Sequence, residues 1–220
     1  MKKNILIILW LFLPFLCNSQ TITLYTPNGS VVYASIKAEM SPEDIILYTK
    51  MYRAMYPEAE VLDSVSYTYN CHSYAWNMVE GGPVCWINYP QAYWTDGSYG
   101  LTIESNAEKI FYYDDDHSAI QSTTHPDKYI SKWGQLPLMR HSPEYGPYAH
   151  MENRRYYRRC LPNNFTNQNV TSDVTIVHCS DINVQNVTVT NNAKLKLETS
   201  KAVIITSGFE VKAGSELQIK

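Results

Sequence analysis

Near its C-terminus the chain repeats itself. The stretches INVQNVTVTNNAKLKLE and GFEVKAGSELQIK superimpose at a separation of 22 residues: Val187 falls on Phe209, Val189 on Val211, Leu195 on Leu217 and Leu197 on Ile219. Apolar and polar residues alternate within each copy, the period of a strand, and a fixed repeat of this length marks stacked β rungs. A rung cannot bury its apolar face alone, and about three are normally needed for stability. Two are visible. Residues 173–220 are therefore read as a small all-β module of stacked strands that leans on what precedes it, serving as a cap, a spacer or an attachment to a partner or surface. The Asn- and Thr-rich stretch LPNNFTNQNVTSD is read as the linker, residues 161–172.

The other end of the chain speaks to the compartment. MKK supplies a positive start, ILIILWLFLPFL an apolar run, and CNS small side chains where a signal peptidase inspects. Residues 1–20 read as a signal peptide cleaved near Ser19 or Gln20, which makes the mature chain secreted or periplasmic. The run is shorter than the roughly 20 residues of a membrane span, so no transmembrane anchor is expected. Leu16 precedes Cys17 where a lipoprotein signal wants a small residue. Net charge is −3 with no basic run, which argues against nucleic acid as a partner.

Export permits disulfides, and cleavage leaves Cys71, Cys85, Cys160 and Cys179. Spacing does not give their connectivity. Cys160 and Cys179 flank the linker and form one candidate pair, while a Cys71–Cys85 bridge is the rival to any catalytic role for Cys71. The 18 tyrosines and five tryptophans suit wet surfaces that bind sugars or peptides, or simply occupy strand positions.

Residues 21–160 carry mixed signals. TITLYTPNGSVVYASIKAE reads as two strands around an Asn-Gly turn. SPEDIILYTKMYRAMYP reads as a helix with Ser41 as N-cap, Pro42 in the first turn and Pro57 as the stop. VLDSVSYTY is strand-like. From Cys71 the pattern turns helical until Gly81-Gly82. PVCWINYPQAYWTDGSYG is loop-rich and aromatic. KIFYY, HSAIQST and KYISKW read as strands, and GQLPLMRHSPEYGPYAH as an ordered loop wrapping the domain.

A cysteine at a helix start has a physical reason to react, because the thiolate is the nucleophile and the helix N-terminus favours it. An imidazole must take and return the proton. His117, at the head of the HSAIQST strand, is the natural candidate, with Ser131 or His141 on the following strands to orient it. His72 lies about 100° round the helix from Cys71 and is read as a hydrogen-bonding or substrate-binding residue. Zinc held by Cys71, His72, Cys85 and His117 matches no standard spacing, so no metal or other cofactor is expected. His125 reads as an exposed turn residue, His150 and His178 have no assigned role, and Asp116 is placed to touch the His117 surroundings.

The blocks YNCHSYAW, DHSAIQS and YISKWGQLPLMRH resemble those of exported bacterial proteins similar to the papain-like NlpC and CHAP groups of cysteine amidases and peptidases. The resemblance spans about residues 60–148. It implies an α+β fold, a papain-like core in which the Cys71 helix packs on an antiparallel sheet. It also implies thiol attack on an amide carbonyl with Cys71, His117 and Ser131 or His141 in order. Tyr69, Asn70, His72 and Trp76, with Trp86, Tyr93, Trp94 and Trp133, would contact a peptide or peptidoglycan-like substrate. The alternative is a non-enzymatic secreted protein binding a glycan or protein partner, its cysteines paired for stability.

Overall fold

The computed structural model describes residues 20–148 and 153–220; residues 1–19, which hold all but the last residue of the expected signal peptide, and His150 lie outside them. The chain opens with strands β1 (Gln20–Tyr25) and β2 (Val31–Ile36), helix α1 (Pro42–Met55), β3 (Glu60–Asp63) and the short helix α2 (Cys71–Trp76). It continues through β4 (Trp86–Ile87), α3 (Ala92–Thr95), β5 (Tyr99–Thr102), β6 (Lys109–Tyr112), β7 (His117–Gln121), β8 (Tyr129–Lys132), β9 (Leu138–His141) and β10 (Arg154–Arg159).

This part holds two antiparallel sheets. A three-stranded one has the order β1-β2-β4, and a seven-stranded one the order β3-β9-β8-β7-β6-β10-β5. The main core lies among the small sheet, α2 and one face of the large sheet. It is aromatic, with Trp76, Tyr93, Tyr99, Phe111 and Tyr157 packed together beside Leu24, Val32 and Ile87. Ser41 caps α1 by accepting the Asp44 N–H at 3.1 Å. No residue of that helix is buried, although Tyr52 packs against the cluster built on Trp133 and Met139.

The α+β papain-like expectation is overturned. Among the described residues the helices span only 14, 6 and 4 residues, against 17 strands in four sheets. The protein is mostly β. Four strands escaped the sequence reading of this part: β4 and β5 begin inside the aromatic stretch read as loop-rich, β9 lies inside the Pro- and Gly-punctuated stretch read as a loop, and β10 is Arg154-Arg155-Tyr156-Tyr157-Arg158-Arg159, whose charged residues hide its alternation.

The linker reading is also corrected, because residues 163–170 form a strand. The remaining elements are β11 (Asn163–Val170), β12 (Val174–His178), β13 (Ile182–Val189), β14 (Lys194–Thr199), β15 (Val203–Ile205), β16 (Glu210–Val211) and β17 (Glu216–Ile219). They stack in parallel as two facing sheets of three rungs each: β11, β13 and β15 with β16 on one side, β12, β14 and β17 on the other. Val189 stands beside Val211, Leu195 beside Leu217 and Leu197 beside Ile219, the 22-residue offset. Ile182, Val184, Val187, Val189, Leu195 and Leu197 fill the space between the sheets.

Each coil bends where a residue adopts a left-handed backbone. Asn167, Asn186 and Gly208 share one such corner, with φ of 55°, 52° and 78°. Asn186 Nδ2 donates to Asn167 Oδ1 at 3.1 Å, tying two corners together. A Cβ on Gly208 would collide with that same Asn186 side chain. Gly208→Ala is therefore expected to lower stability by about 1–3 kcal/mol in chemical denaturation, from a non-glycine left-handed residue plus the clash.

A disulfide between Cys160 and Cys179 staples the end of the large sheet to the stacked rungs, closing a separation of 19 residues. Gly100 on β5 makes room for it, since a Cβ there would run into Cys160 Sγ and Cys179 Cβ. Cys179→Ser is expected to cost roughly 3 kcal/mol in denaturant midpoint experiments, the loop-closure value for this length.

Candidate active site

Asn70 explains why α2 starts where it does. Its backbone is extended, and Oδ1 accepts the Ser73 N–H at 3.1 Å, the standard N-cap bond. The same oxygen accepts from Ile87 N–H at 3.2 Å, while Nδ2 donates to the Ile87 carbonyl at 2.7 Å. One side chain thus starts the helix and ties it to β4. Cys71 is the first helical residue, buried, with a free thiol. Cys85 is also free and buried, so the Cys71–Cys85 bridge is not formed. Its Sγ lies 3.4 Å from Ser73 Oγ, and burial pushes its thiol pKa up.

Two imidazoles attend Cys71. His117 opens β7 opposite Tyr112 on β6 and is 1% exposed. Its ring stacks on Tyr148 with centroids 3.8 Å apart and planes 10° from parallel. Neither ring nitrogen has a hydrogen-bond partner of regular geometry, an exception among buried polar groups that calls for a reason. Its position beside the thiol supplies one. His72 is buried too, but both of its nitrogens are engaged. Nδ1 lies 2.8 Å from Ser118 Oγ and Nε2 3.5 Å from Asp116 Oδ1.

Burial alone would push the Cys71 thiol up. His72 and His117 outweigh it and hold the sulfur well below the ordinary thiol range. Burial pulls His72 down, yet Cys71 and Asp116 together bring it up to about 9. The hydrogen bond from His72 in turn keeps the Asp116 carboxyl below its usual range. The arrangement favours an ionised sulfur beside a cationic ring.

Ser131 and His141 do not orient His117 by hydrogen bonding. They bond to each other, Ser131 Oγ to His141 Nε2 at 2.9 Å, while Trp133 Nε1 donates to Ser131 Oγ at 2.9 Å and His141 Nδ1 lies 2.9 Å from the Ser142 carbonyl. Tyr148, which the sequence reading passed over, is what holds the His117 ring.

A cavity of about 370 Å³ opens beside the sulfur, lined by Cys71, His72, Trp86, Tyr89, Asp116 and Tyr148 among others. Of the aromatics expected to meet substrate, Trp86 is there, with the Lys37 ammonium 3.3 Å from its ring centroid. Tyr69, Trp76, Tyr93 and Trp133 are buried and Trp94 packs against the core, so none of these five lines the cavity. The Tyr69 hydroxyl is spent on Asp63 Oδ2 at 2.8 Å. Asn70 lines the cavity but its amide is fully used as a cap and clamp. Tyr89, 76% exposed, lies in the aromatic loop read as a substrate wall but was not singled out. Its place beside Trp86 in the loop after β4 was the available signal.

Among the described residues no group of three or more His, Cys, Asp or Glu is placed to hold a metal ion, and no helix is long and apolar enough to cross a membrane. The Cys160–Cys179 bond is compatible with an extracellular protein. Comparison with family models, curated proteins and solved structures gave no match.

Proposed function

We propose that the protein is a cysteine-dependent hydrolase of amide bonds that acts after export. The observation that carries this reading is a free, buried Cys71 at the start of α2 that lines a cavity and is influenced by two imidazoles, one of which, His117, has no hydrogen-bond partner of regular geometry. Structural cysteines have no need of such company; a nucleophilic one does.

The Cys71 thiolate attacks the carbonyl carbon, and a C–S bond forms as the carbonyl electron pair moves onto oxygen. The backbone N–H of Cys71, at a helix position without a helical acceptor, is a donor available to that oxyanion. As the tetrahedral species collapses the C–N bond breaks, and protonated His117 gives its proton to the leaving amine. Neutral His117 then takes a proton from water, which adds to the thioester and releases the acid and the thiolate. Trp86 and Tyr89 offer flat faces to the chain carrying the bond.

In an exported bacterial protein the abundant amide polymer is peptidoglycan stem peptide, and that is the substrate class proposed. The test is incubation of the purified full chain with stem-peptide fragments and mass analysis of products. A new carboxylate and a new amine that vanish with Cys71→Ala support the reading. Intact fragments across a panel of stem peptides would reject the substrate class.

A further inference from the structure

We propose that the two imidazoles beside Cys71 divide the work: His117 moves the proton, while His72, fixed by Asp116 and Ser118, is a standing counter-charge that keeps the sulfur ionised. This rests on the reading of Cys71 as a nucleophile and adds a positioning role that the reaction scheme does not by itself require.

The bonding separates the two rings. Trp76 Nε1 donates to Ser118 Oγ at 2.9 Å, which anchors that hydroxyl, and His72 Nδ1 meets the same oxygen at 2.8 Å. A serine oxygen has two lone pairs, so it can accept from both the indole and an imidazolium. The other nitrogen points at Asp116, whose carboxylate stands on a turn residue with φ of 48°. A ring with both nitrogens committed would have to break a contact at every turnover to act as the shuttle. Neither nitrogen of His117 is bonded to any group other than the thiol.

The fold contains its own comparison. Trp133, Ser131 and His141 form a second Trp–Ser–His chain, on the sheet face opposite to Ser118, since Ile130 pairs with Ile120 and neighbours alternate. His141 is as buried as His72, 4% against 3% exposed. Its remaining nitrogen meets only a backbone carbonyl, and burial takes it down to about 4, so this ring is neutral. The hydroxyl chain is common to both. Asp116 and the sulfur are what distinguish His72.

The charged and titratable groups around the pair are Asp116 in the turn before β7, His117 on β7, Lys132 on β8 and Tyr148 after β9. Lys132 is fully buried, donates to the carbonyls of Ser66 and Leu136, and is brought down to about 7 by burial. Its contribution is common to every variant below and cancels between them.

The experiment is the rate of iodoacetamide alkylation of Cys71 against pH, on the full chain without substrate, with the modified peptide identified by mass. Native protein is expected to show an inflection well below the ordinary thiol value. Asp116→Asn, at a side chain 64% exposed, should leave the fold intact and raise that inflection by about one pH unit, roughly a tenfold slower reaction at pH values below it. His72→Gln should raise it at least as far, and His117→Ala by less while abolishing turnover. Faster alkylation of Cys85 in any variant identifies unfolding, and Asp116→Asn then decides alone. An inflection unmoved in Asp116→Asn, or moved most by His117→Ala, would overturn the division of labour. Because alkylation needs no turnover, amide hydrolysis surviving Cys71→Ala would remove the nucleophile reading separately.

Discussion

Cys71→Ala is expected to lower amide hydrolysis by a factor on the order of 10⁴ or more while leaving the protein folded. The magnitude follows from the unit action of a nucleophile and its base: with the sulfur gone no acyl-enzyme forms, and only binding and oxyanion contacts remain. The side chain is small, and its removal leaves at most a small cavity. Kinetics on a stem-peptide fragment, with denaturant unfolding alongside, checks both halves. His117→Ala should come close to the same loss, whereas Ser131→Ala and His141→Ala should act on stability, because those two side chains bond to each other and not to His117. Activity within tenfold of native in Cys71→Ala would end the reading of Cys71 as the nucleophile.

The second large effect lies in the core. Trp76 is 0% exposed and meets Tyr93, Trp94, Tyr99 and Tyr157 with ring centroids 5.1–5.7 Å away. It also donates the indole N–H to Ser118. Trp76→Ala removes a fully buried tryptophan from the centre of that cluster and leaves a cavity between α2 and the large sheet, so a loss of about 3–5 kcal/mol is expected. Against a total of about 5–15 kcal/mol for a domain, that threatens the folded state itself. Trp76→Phe keeps most of the volume but removes the indole donor to Ser118, and about 1–2 kcal/mol is expected. Denaturant midpoints measure both. A cost under about 1 kcal/mol for the alanine variant would mean that this cluster does not organise the core.

The features legible in the sequence were those resting on short-range chemistry. Ser41 before Pro42 and the strict alternation of Val187, Val189, Leu195 and Leu197 each fix a local structure that neighbours cannot easily override, whereas Asn70 was read as a substrate contact and not as the cap it is. The fold class was not legible. The resemblance argued for an α+β core with the Cys71 helix packed on an antiparallel sheet, but α2 stops after Trp76, and the chain is mostly short strands interrupted by Pro, Gly and Tyr. β11 was hidden because its outward positions are asparagines that pair with asparagines one rung up, Asn183 on Asn164 and Asn186 on Asn167; side by side such residues make a ladder, while in sequence they look like a linker. At the site, the cysteine and both histidines were visible as residues. Their roles were not, because what separates His72 from His117 is which nitrogens are already bonded. The aromatic residues misled for a similar reason: a tryptophan suits a binding wall and a core equally well, and only packing decides that Trp86 lines the cavity while Trp76 is buried.

The most direct measurement is a map of which cysteine reacts when native, non-reduced protein meets less than one equivalent of iodoacetamide at neutral pH. The outcome expected is modification of Cys71, with Cys85 untouched and Cys160 and Cys179 still bonded. A native chain in which Cys71 stays unmodified, or reacts no faster than Cys85, would contradict an ionised nucleophile at the head of α2.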